Sequence, residues 1–131
     1  MTDYKTALAN IVRKTYQEHA LGDAPWGTAE YGCSYFAGCA IGISVSPELA
    51  FVMDNNSVNN LLFLLRDYEP LQLELFGVVG EPPKTVVDQL VRLQGLHDTF
   101  ATSPNFPEAR DARDAYKRAI ELNFPKTDLT T

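Results

Sequence analysis

The sequence predicts a single α+β domain, mostly helical, in which one β-hairpin in the N-terminal third packs against about five helices. Two observations carry this. Residues 30–45, EYGCSYFAGCAIGISV, alternate large and small side chains on both sides of Phe36-Ala37-Gly38, the period-two pattern of paired strands. Elsewhere apolar residues recur at helical spacing, most clearly over 84–101, where Val86, Leu90, Leu93, His97 and Phe100 fall on one stripe.

The elements follow in order. A first helix is expected from about Asp3 to Ala20, capped by Thr2 or Asp3 and ended by Gly22 and Pro25. Its inward residues are Tyr4, Ala7, Leu8, Ile11, Val12 and Ala20. The hairpin comes next. If its odd-numbered residues all face the core, the loop holds an odd number of residues, and Phe36-Ala37-Gly38 fits, with glycine at the left-handed third place. The pairs are then Tyr35 with Cys39, Cys33 with Ile41, and Tyr31 with Ile43. Ser46 and Pro47 open a short helix with Leu49, Val52 and Met53 inward. A second short helix, capped by Ser57, carries the run Leu61–Leu65, which lacks clear periodicity. Residues 70–79 read equally as a two-turn helix between Pro70 and Gly77 or as a strand with alternating Leu71, Leu73 and Leu75. The last helix spans 106–122 with an alanine-rich inner face that includes Tyr116 and Ile120. Residues 123–131 read as a loose tail.

At 131 residues, one domain over 1–131 buries enough surface to fold without a disulfide or a metal. Hydrophobic residues at 45% and charged residues at 21% argue against disorder. A net charge of −6 repels phosphate backbones, so no nucleic-acid partner is expected. The polar start, MTDYKTALANIVRK, has no hydrophobic leader core, and the longest apolar run is far too short to span a bilayer. The expectation is a cytoplasmic protein with reduced thiols and no membrane contact.

CSYFAGCAIG and, further on, LQGLHD together resemble an uncharacterised family of small bacterial and bacteriophage proteins. Its members carry Cys-x-Tyr, a turn, Cys-Ala-x-Gly, and later Leu-Gln-x-x-His-Asp. The matching residues are Cys33, Tyr35, Cys39, Ala40 and Gly42, then Leu93, Gln94, His97 and Asp98. The family often has a longer, basic turn that opens with Tyr-Arg, where this chain has only Phe36-Ala37-Gly38, so any role of that arginine is absent from this chain. The resemblance implies a bacterial host cytoplasm and brings no activity or cofactor with it.

The candidate chemistry centres on Cys33, Cys39 and His97. In the predicted register the cysteines are diagonal neighbours, about 7 Å apart, whereas a disulfide needs Cβ atoms about 3.8 Å apart. Two buried free thiols are therefore favoured, although a five-residue loop over 34–38 would oppose the cysteines and permit the bond. Zinc wants three or four ligands and closer cysteine spacing, with only His19 and His97 to complete the set, so no metal is expected. A thiol paired with His97 is the one nucleophile–base arrangement available. Asp98 follows His97 directly, so the two side chains should diverge around the helix and not form an orienting pair. Trp26, Tyr35 and Phe36 are the candidate binding residues, with Tyr35 favoured as core and the other two as interface. No phosphate loop is present.

The resulting expectation is a small, non-enzymatic, cytoplasmic binding protein that contacts another protein; the family resemblance makes it phage-encoded and its partner a host protein. Its alternatives are a thiol-dependent enzyme using Cys33 or Cys39 with His97, and a small-molecule sponge with a pocket between subunits of a homo-oligomer. No cofactor is expected.

Overall fold

The computed structural model describes residues 3–24, 26, 28, 29, 32, 33, 35, 38–55, 60–101 and 109–129. Asp3 starts the first helix, accepting at its carboxylate from the Thr6 amide (3.0 Å). Helix α1 (Tyr4–Thr15) buries Ile11, Val12 and Thr15, and continues as a wider π-helical turn, Tyr16–Leu21, that buries Tyr16, His19 and Ala20. The end of that turn is satisfied from a distance: Arg113 donates to the carbonyls of His19 (2.7 Å) and Ala24 (2.8 Å).

Helix α2 (Pro47–Asp54) has Ser46 as its cap, the hydroxyl accepting from the Leu49 amide (3.2 Å), with proline in the first turn. Helix α3 (Leu61–Asp67) is capped by Asn60, whose side chain accepts from Leu62 (2.9 Å). The expected cap, Ser57, lies outside the described residues. Residues 69–76 form helix α4 (Glu69–Phe76). The leucine pattern there resolves at helical spacing, since Leu71 and Leu75 are buried four apart while Leu73 is exposed. Buried Gln72 ties α4 to the end of α3: its amide donates to the Leu65 and Arg66 carbonyls (3.0 and 2.8 Å) and its oxygen accepts from Gly80 (2.8 Å).

Helix α5 (Lys84–Ala101) buries Val86, Leu90, Leu93 and His97 on one stripe, and helix α6 (Ala109–Asn123) buries Ala112, Tyr116 and Ile120 on another. These two pack together, and α6 also packs on the π turn. The segment beyond α6 is tied down through Leu129, not loose: Phe124 and Leu129 are buried, and a short 3-10 turn, Lys126–Asp128, lies against α1.

The fold is all-α, with six α-helices among the described residues, and the predicted α+β class with its β-hairpin is overturned. The extended pairing among the described residues is limited to Thr28–Ala29 against Gly32–Cys33, in the register Thr28 to Cys33 and Ala29 to Gly32. Within the stretch expected as turn and second strand, residues 38–45 instead wind through consecutive tight turns. Gly38 donates to the Tyr35 carbonyl, Ile43 to that of Cys39, Ser44 to that of Ile41, and Val45 to that of Gly42. Gly38 does hold the left-handed conformation, φ 95°. The small residues that imitate strand alternation have a different purpose. A Cβ on Gly42 would stand 2.1 Å from the Tyr35 carbonyl oxygen, so the glycine lets two backbone segments touch.

This contact predicts opposite signs for two alanine substitutions. Gly42→Ala should destabilise the protein by roughly 2–3 kcal/mol or more, as overpacking against rigid backbone does. Gly95→Ala, in open space on α5, should stabilise it by about 0.5–1 kcal/mol. Chemical denaturation of both variants checks this, and equal effects would contradict the backbone contact.

Candidate functional site

The turns over 35–45 are buried at Tyr35, Cys39, Ala40, Ile41 and Gly42, so their backbone groups need partners. Helix side chains supply them. Asp54 of α2 accepts from the Tyr35 amide (2.8 Å), and Gln94 of α5 accepts from the Ile41 amide (3.1 Å). His19, on the π turn, bonds the Gly38 carbonyl through Nε2 (2.8 Å).

These bonds determine proton positions. A carbonyl only accepts, so His19 Nε2 carries a proton, and with the ring neutral Nδ1 presents its lone pair. Thr15 Oγ1, 2.7 Å from Nδ1, therefore donates to it. The same oxygen then accepts from Tyr116 Oη at 2.8 Å. With a neutral imidazole, the relay runs from Tyr116 through Thr15 and His19 to Gly38. Around it the aromatic rings close up. Trp26 stacks on His19 with centroids 5.7 Å apart and planes 5° apart; His97 meets His19 edge-on at 4.9 Å, and Tyr116 meets Trp26 edge-on at 5.3 Å. The Arg113 guanidinium lies over the indole, 5.0 Å from its centre.

His97 is fully buried. Its Nδ1 donates to Asp98 Oδ1 at 3.2 Å, and Gln94 Nε2 donates to the same oxygen at 2.8 Å. The expected divergence of His97 and Asp98 thus fails. Gln94, one turn earlier, draws the carboxylate back over the helix to where the imidazole reaches it. Nε2 of His97 has no hydrogen-bond partner among the described residues. Burial, reinforced by the charges of Asp98 and Asp54, pushes the Tyr35 phenol up to about 12. Burial also raises the Tyr116 phenol, opposed by its bond to Thr15.

Gln94 links the two sequence motifs, because the amide it holds, Ile41, sits between Ala40 and Gly42 of Cys-Ala-x-Gly. Of the expected site residues, His97 and Trp26 meet in this cluster, with Trp26 partly buried and packed against the core. Tyr35 is buried. Phe36 lies outside the described residues. Cys39 is fully buried and disulfide-bonded, and the chain's other cysteine is Cys33, whose backbone lies in the short extended pair. The expected free thiol at Cys39 is therefore replaced by a disulfide, and a sulfur in that state is not a nucleophile. Among the described residues no group of three or more His, Cys, Asp or Glu could hold a metal. Likewise no helix is long and apolar enough to cross a membrane.

Sequence reasoning missed His19 as a structural hub, together with Thr15, Tyr116 and Arg113. The signal was present: Thr15 and His19 are four residues apart and continue the buried stripe of Ile11 and Val12.

The relay makes Thr15 the residue to test. Thr15→Val keeps the shape but strands two buried groups, at about 1–3 kcal/mol each, whereas Tyr116→Phe should cost about 1 kcal/mol. Thermal and urea denaturation should rank Thr15→Val as the more damaging, and the reverse order would remove the relay. No protein-family model, curated protein or solved structure matches the chain.

Proposed function

We propose that this chain acts by binding another protein, and that its contact surface is carried by α2, α3 and α4. One observation carries the reading. Of the ten large hydrophobic residues exposed among the described residues, seven lie between Phe51 and Val79. Single exposed apolar residues are ordinary, but concentration in one stretch is a mark of an interaction surface.

The helices themselves show the same doubling. In α3, Leu61, Leu64 and Leu65 face the core while Leu62 and Phe63 face outward. In α4, Leu71, Leu75 and Phe76 are inside and Leu73 is 54% exposed. A helix with one buried face ordinarily has a polar opposite face, so apolar residues on both suit a second partner. The buried cluster at His19 and His97 suits a structural role, since it binds the turns over 35–45 to α5 and α6. The likeness to small bacterial and phage proteins supports a host protein as that partner.

Photocrosslinking tests this in bacterial cells making the full chain. A photoreactive phenylalanine at Phe63 should give a discrete adduct that Leu73→Ser abolishes. The same probe at Leu122, 86% exposed on α6, should not give it. Identical adducts at both positions, or none at Phe63, would refute the assigned surface.

A further inference from the structure

The charges around the exposed apolar residues define the partner further, on the reading that α2–α4 is the contact surface. Between Pro47 and Glu81 the sequence has six acidic side chains and a single basic one, Arg66. Arg66 is already paired with Glu81 (3.1 Å). Two more acids serve the fold: Glu74 accepts from the Ser46 amide and hydroxyl (2.7 and 2.8 Å), and Asp54 holds the Tyr35 amide. Glu48, Asp67 and Glu69 are exposed and join no ion pair among the described residues.

The three helices are physically joined. α3 packs on α4, and the Ser46–Glu74 bonds fasten the start of α2 to α4. The exposed side chains of these helices thus combine apolar residues with carboxylates that join no ion pair among the described residues.

We propose that this surface receives a basic amphipathic helix of a partner protein. Its apolar face would cover Phe63 and Leu73, and its lysines or arginines would meet Glu48, Asp67 and Glu69. Charge complementarity selects this occupant. A second copy of the chain docking through the same patch would bring the same carboxylates against themselves, since a two-fold interface pairs a surface with itself.

The test uses the intact chain and two synthetic helical peptides, each about five turns long. They share one leucine face and differ only in a lysine or a glutamate polar face. Binding is read by fluorescence anisotropy at low and high salt. The lysine peptide should bind at least about tenfold more tightly, a difference of about 1.4 kcal/mol, and weaken as salt screens the carboxylates. The combined Phe63→Ser and Leu73→Ser variant should lose it, and the combined Glu48→Gln, Asp67→Asn and Glu69→Gln variant should bind it at least about tenfold more weakly. Circular dichroism verifies that both variants stay folded, as exposed positions permit. If both peptides bind equally and the serine variant abolishes both, the basic partner is refuted while the contact surface stands. If the lysine peptide ignores the serine variant, or fails to bind, the docking proposal is overturned, and photocrosslinking at Phe63 still decides the surface independently.

Discussion

The rest of the structure depends on how a buried stretch of irregular backbone is satisfied. Residues 35 and 38–45 lie against the core and pair with no strand among the described residues, so their amides and carbonyls have no ladder to enter there. An unpaired buried backbone group costs about 1–3 kcal/mol. Side chains from three helical regions meet that demand: His19 at the Gly38 carbonyl, Asp54 at the Tyr35 amide and Gln94 at the Ile41 amide. Two of these side chains are held in turn. His19 is fixed by Thr15, and Gln94 by Asp98.

This arrangement gives the two recognisable motifs one purpose. Gly42 allows the close backbone approach to Tyr35, and Gln94 binds the amide beside it. Asp98 then collects both Gln94 and His97. Motifs that look like chemistry in the sequence are here joined by hydrogen bonds that hold a turn in place. The outward surface of α2–α4, which we propose as the contact surface, belongs to a frame whose centre is the histidine, tryptophan and tyrosine cluster.

Much of the helical framework was legible from residue spacing. The stripe on α5 and the caps at Asp3 and Ser46 follow from local rules. The error over 30–45 has a physical origin. Gly42 and Ala40 are small because backbone and core crowd them, and regularly spaced small residues also imitate strand alternation. A strand needs a neighbour along its edge, and the sequence pattern does not reveal that the neighbours are helix side chains. The cluster was half visible: His97 and Trp26 could be singled out, but the relay joins Thr15 to Tyr116, 101 residues apart, which no local pattern reports. The outward leucines of α3 were visible as an apolar run without period, although their meaning needed the burial of Leu61, Leu64 and Leu65 beside them.

The central claim is that side chains lock the buried turns into the cooperative core. Amide hydrogen exchange on the intact protein tests it at Ile41 and Tyr35. If the claim holds, both amides exchange only through global unfolding, with the same opening free energy as core amides such as Leu90 of α5. Exchange of Ile41 and Tyr35 by local opening, while Leu90 stays protected, would contradict it.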